Sequence, residues 1–101
     1  PPVKFGQDFQ SEIASLSNLV AYLNCNFLAF QFDGAKIESA MFTNYSGQRI
    51  EVRAKRFVLA CGGIENSRIL LIENNRYDNL LGNQSDLVGR YWSEHNHFTI
   101  C

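Results

Sequence analysis

The run Arg49-Ile50-Glu51-Val52-Arg53-Ala54-Lys55-Arg56-Phe57-Val58-Leu59-Ala60-Cys61-Gly62-Gly63-Ile64-Glu65-Asn66 changes character twice, and the two changes decide the fold. From Arg49 to Lys55 apolar and polar residues alternate, the period of a strand with one wet face. From Phe57 to Ala60 every position is apolar, the pattern of a strand covered on both faces in a parallel sheet. Gly62-Gly63 interrupts that run. Ile64 to Asn74 then reads as a helix with Ile64, Leu70 and Leu71 on its apolar side. The stretch 56–74 therefore predicts a buried strand, a glycine turn and a helix.

Working upstream, Lys36–Thr43 and Phe27–Phe32 are two more extended segments, joined by the hairpin signal Asp33-Gly34. Asn44-Tyr45-Ser46-Gly47 separates Lys36–Thr43 from the alternating run. The three segments together predict an antiparallel meander. Leu19–Leu23 is a short apolar run, long enough for one further buried strand. Asp8 is a good N-cap for a helix reaching Leu16, with Phe9, Ile13 and Leu16 at i, i+4 and i+7. Downstream, 74–75 and 79–82 are loop-like, Ser85-Asp86-Leu87-Val88-Gly89 suits a capped turn, and His97–Cys101 is apolar enough for a strand. The expected class is α/β, or α+β for the piece taken alone.

Composition narrows the function classes. The chain has 101 residues, 46% hydrophobic and 19% charged, which is an ordinary globular balance for one small domain. Nine basic against ten acidic residues give a net charge of -1, so no basic surface is on offer for nucleic acid or an anionic membrane. No apolar run approaches a membrane span. The opening Pro1-Pro2 suggests an excised piece of a longer protein. Cys25, Cys61 and Cys101 are odd in number and widely spaced, which disfavours a disulfide framework or a zinc site.

Among the chemistry-bearing residues, the glycine turn is the most informative. Glycines let a backbone approach a ligand closely, and a helix N-terminus offers free N–H groups. A crevice at the carboxyl end of a buried strand suits a nucleotide cofactor. Taken alone, the same residues suit a plain strand-to-helix turn better, since no G-x-G-x-x-G fingerprint occurs and Glu65 in the first turn disfavours a phosphate there. Cys61 beside that helix would have a lowered thiol pKa, but no histidine is near it in sequence, and a small core residue is the simpler reading. His95 and His97 at i, i+2 beside Glu94 make two ligands at best, fewer than a metal site needs. Tyr91 and Trp92 read as packing residues. Asn44-Tyr45-Ser46 and Asn83-Gln84-Ser85 match the N-glycosylation acceptor pattern.

The run from Ala54 to Leu71 resembles the second conserved FAD-site segment of the glucose–methanol–choline (GMC) flavoprotein oxidoreductases. Gly82-Asn83, then Ser85 to Trp92 and Glu94-His95, resemble a further stretch of that family. Pro1–Gly6 and Tyr22–Phe27 are also similar, most of all to its bacterial branch acting on sugars and alcohols. The resemblance implies an interior fragment of an FAD-binding domain. It would be a single partial domain over 1–101, with 84–101 leading toward the substrate-binding part. It implies FAD as cofactor, with Phe27, Ala60, Cys61, Gly62 and Gly63 along it, and contact near Phe27 mainly through backbone. Relatives usually carry Ala or Ser where Cys61 stands, and proline where Asn96 follows His95. The glycine-rich pyrophosphate loop and the segment with the catalytic histidine have no counterpart among these residues, so no catalytic residue is assigned.

The expected function is that of a segment of an FAD-dependent enzyme, one that takes hydride from the CH–OH group of a small sugar or alcohol. The segment alone is expected to be inactive and to depend on the rest of its parent chain. The residues assign no compartment; a cytoplasmic or periplasmic one is expected. Two other readings fit the residues. One is an interaction module that uses a sheet edge. The other is a fragment stabilised by association through exposed apolar surface.

Overall fold

The computed structural model describes residues 3–93. Two short helices, α1 (Phe5–Asp8) and α2 (Gln10–Ser15), precede three strands, β1 (Cys25–Asp33), β2 (Lys36–Asn44) and β3 (Arg49–Arg53). A single long helix, α3 (Gly63–Arg76), follows them. The strands form an antiparallel sheet in the order β1-β2-β3, so the expected meander is present and the described piece is α+β.

The two turns are built differently, the first by a glycine backbone and the second by an asparagine side chain. Asp33 pairs with Lys36 across the two-residue loop Gly34-Ala35, and Gly34 has φ 58°, the positive angle that such hairpins require at their first position. In the second turn Asn44 Oδ1 accepts from the N–H of Ser46, the hydroxyl of Ser46 and the N–H of Gln48, at 3.1, 2.7 and 3.0 Å. Gly47 takes φ 82°, the left-handed conformation that closes a three-residue hairpin loop.

The register of β1 on β2 slips twice, between Phe27 and Ala29 and between Gln31 and Phe32. The slips carry a packing consequence. In an unbroken strand Phe27 and Phe30 would point to opposite faces. The first slip, with Leu28 as the extra residue, turns them to the same face, where their rings meet at 4.7 Å. The second slip does the same for Ile37 and Ala40. A core therefore forms on one face from Phe30, Ala40 and Ile69, ringed by Phe27, Phe32, Ile37, Phe42, Phe57, Leu59 and Leu81.

Several expectations are corrected. Phe57–Ala60 is not a ladder-paired parallel strand. Phe57 and Leu59 turn to the core, whereas Val58 is 89% exposed and Ala60 is exposed, so the run has one wet side. Leu19–Leu23 is likewise not a buried strand: Val20 and Leu23 are 74% and 80% exposed. At the outer side of β1 a further strand is kept out by Glu73 of α3 and by Tyr77 just after it, which bond the backbone of Phe30, and neither run reaches the edge of β3. Asp8 does not cap the helix to Leu16. It closes α1, its carboxylate accepts the Lys4 N–H at 2.9 Å, and Phe9 stands at the start of α2. The capped turn after Asn83 is held by Asn83, whose Oδ1 accepts the Val88 N–H at 2.9 Å, and not by Ser85. The expected strand at 97–101, Glu94, His95, His97 and Cys101 lie outside the described residues.

Candidate functional site

The candidate site is the run from Phe57 into α3 and the part of β1 beside it. Phe57 is tied to the sheet through Phe30, ring to ring at 5.9 Å, and Phe30 in turn meets Phe27. Phe27, Leu28, Arg68, Ile69, Ile72 and Glu73 line a shallow cleft between β1 and α3. Phe27 is thus half-buried in the aromatic cluster, and its ring also stands edge-on to Phe42 at 5.9 Å.

The turn itself is open. Ala60, Cys61 and Gly62 are exposed in succession. Gly62 has φ 90° and ψ 159°, a conformation essentially confined to glycine, and a Cβ built there would have nothing within 4 Å. Asn66 braces the turn from inside α3: its Oδ1 accepts the Cys61 N–H at 2.8 Å. Gly63 has a different role. A Cβ at Gly63 would lie 3.0 Å from the Trp92 ring, so its missing side chain seats that indole. Trp92 lies against Gly63 but is itself 57% exposed, and Tyr91 is 87% exposed, so neither is the packed residue the sequence suggests. Cys61 is a free, exposed thiol, not a core residue.

Electrostatics at the start of α3 are local. The Arg68 guanidinium grips the Glu65 carboxylate through Nε and Nη2 at 2.8–3.0 Å. That pairing lowers the Glu65 pKa below its ordinary value and raises that of Arg68. Glu65 also stands in the first helical turn, where the helix dipole favours a negative charge.

The buried face of α3 is not the one the apolar pattern suggests. Ile64 is exposed and Leu71 is 41% exposed, while Leu70 is partly buried. Ile69, Glu73 and Asn74 are buried, with Glu73 only 1% exposed. Glu73 Oε2 accepts the Phe30 N–H at 2.8 Å, Tyr77 donates its hydroxyl to the Phe30 C=O at 2.9 Å, and Arg76 pairs with the other carboxylate oxygen at 3.0 Å. Glu73 and Tyr77 escaped the sequence reading. The available signal was their i, i+4 spacing in line with Ile69, which places an acid and a phenol on one stripe with a core residue.

Neither glycosylation pattern presents a free asparagine. The Asn44 side chain is consumed by its turn, and Asn83 is buried. Among the described residues no group of three His, Cys, Asp or Glu side chains is placed to hold a metal, and no helix is long and apolar enough to cross a membrane.

In comparisons with known proteins, no family model, no curated protein and no solved structure matches this chain.

Proposed function

We propose that this chain is an interior portion of the FAD-binding part of a GMC-type oxidoreductase acting on the CH–OH group of a sugar or alcohol. The observation that carries the reading is the run Ala54–Leu71, which resembles an FAD-site segment of that family and whose Gly62 backbone is open and held in a glycine-only conformation at the head of α3. The residues present suit a large flat cofactor in one respect: a close backbone approach is free at Gly62, which has no Cβ and open space around it, and Ala60 and Cys61 beside it are exposed. In this reading Ala60, Cys61 and Gly62 offer that face, Gly63 holds Trp92 beside it, and Phe27 contributes through its main chain. When bound, FAD supplies the acceptor for hydride from the substrate carbon. This chain's own residues orient and enclose; the turn is kept in shape by Asn66 and by the Phe30–Phe57 contact. The exposed apolar residues of the 19–23 segment fit a piece that is covered by the rest of its parent.

The test is a visible absorbance spectrum of the purified full-length gene product. A flavin spectrum that bleaches when a sugar or alcohol is added supports the reading. A protein that stays colourless after incubation with FAD removes it. The second reading, an interaction module, would then stand, because the outer edge of β3 is unpaired among the described residues.

A further inference from the structure

The two edges of the sheet are treated differently. At the centre of β1, Phe30 gives both its N–H and its C=O to side chains of α3. In an antiparallel ladder a residue turns both groups to the same side, so Ala40, opposite Phe30, turns both of its own toward β3. Val52, opposite Ala40, must answer it. The hairpin gives the same phase independently, because Asn44 donates its N–H to the Gln48 C=O at 3.1 Å. Gln48, Ile50 and Val52 therefore face β2. Arg49, Glu51 and Arg53 present their backbone groups outward, where they have no hydrogen-bond partner among the described residues.

We infer that this edge pairs with the same edge of a second copy of the chain, antiparallel, with Arg49 opposite Glu51 of the second copy and Ile50 opposite its own equivalent on the two-fold axis. Charge selects this register from its neighbours. Centring the axis on Glu51 opposes Glu51 to Glu51 and Arg49 to Arg53. Centring it on Val52 pairs Glu51 with Arg53 but brings Arg49 against Lys55, just past the end of β3, and centring it on Arg49 opposes Arg49 to itself. Of the two axes that make two Arg–Glu cross-strand pairs, the one at Ile50 alone leaves no like charges face to face. That register also joins the two outward residues as hydrogen-bonded pairs, as the backbone phase demands. Ile50 and Val52 lie on the core face of the sheet, opposite Phe42 and Ala40, and are half-buried in one copy. Pairing would continue their apolar face into a six-stranded sheet. The interface is isologous, so it closes as a dimer and does not propagate. It deepens the interaction-module reading by naming the partner, and it does not depend on flavin binding.

The experiment is sedimentation equilibrium of the full chain over a dilution series, with Glu51→Lys, Arg49→Glu and the double swap, each checked for native far-UV circular dichroism. The native chain is expected to approach twice the monomer mass as concentration rises. Each single variant should self-associate roughly tenfold or more weakly, since two attractive cross-strand pairs become repulsive. The double swap should regain the native behaviour, and the two single variants mixed together should form a heterodimer. A native chain that is monomeric at every concentration overturns the proposal. So does a Glu51→Lys variant that associates as the native chain does, or a natively folded double swap that stays monomeric. Mass reads this interface and the visible spectrum reads the flavin proposal, so each can fail without the other.

Discussion

Glu73 and Phe30 are 43 residues apart in sequence, and the carboxylate of the first is bonded at 2.8 Å to the backbone N–H of the second. Tyr77, one turn further along α3, bonds the C=O of the same residue. A helix thus occupies, with two side chains, the place where another strand would satisfy β1. An edge with unmet backbone groups is a hazard for unwanted pairing, and this edge is closed at its middle.

Removing that closure should be costly. Glu73→Ala leaves the Phe30 N–H buried without an acceptor and is expected to lower stability by about 2–3 kcal/mol. Glu73→Gln retains an acceptor and should lose less. Tyr77→Phe should lose about 1 kcal/mol, and the double variant less than the sum, because both act on one residue. Urea denaturation of the four proteins checks the order, and a Glu73→Ala variant as stable as Tyr77→Phe would contradict it.

The two glycines of the turn should lose stability to alanine for different reasons. At Gly62 there is room for a Cβ but the backbone forbids it, so Gly62→Ala is expected to cost about 1–3 kcal/mol. At Gly63 the backbone is helical but the Trp92 ring is in the way. That ring is half exposed and can move aside, so Gly63→Ala should cost less and should shift the tryptophan fluorescence. Equal losses with unchanged fluorescence would contradict the separate roles given to them.

Asn44 holds its turn through three accepted hydrogen bonds. Asn44→Ala should destabilise by about 1–2 kcal/mol and speed amide exchange at Ser46 and Gln48, while exchange at Phe30 follows only the global loss of stability. Uniform acceleration across the sheet would show that the turn is not a local unit.

Acid should loosen the head of α3. The Glu65 carboxyl titrates below its ordinary value of 4.5 because Arg68 grips it. A carboxylate whose pKa is lowered on folding contributes its stabilisation above the unfolded value, and that contribution is lost as pH falls through the folded one. The native chain is therefore expected to lose α3 helicity more steeply than Glu65→Gln as pH is lowered from the mid-fours. Parallel curves by circular dichroism would show that the pair contributes nothing measurable, a common outcome for an exposed ion pair.

The amino-acid sequence by itself determined the local units. Alternation in Arg49–Arg53, the turn residues Gly34, Asn44 and Gly47, and the uninterrupted helix formers after Gly63 act within a few residues, and each element lies close to where those signals put it. The glycine turn at Gly62 was also legible there, because a positive φ needs glycine whatever surrounds it, but the exposure of Ala60 and Cys61 was not: both read as buried. Tertiary structure alone decided the rest. The apolar runs Leu19–Leu23 and Phe57–Ala60 read as buried strands, but neither joins the sheet: at the centre of β1 Glu73 and Tyr77 hold the backbone groups a strand would need, and the edge of β3 stays unpaired among the described residues. The two register slips that bring Phe27 beside Phe30 leave no mark in hydrophobic periodicity. Nor does the burial of a carboxylate, which is unfavourable everywhere except opposite the one N–H that β1 turns toward α3.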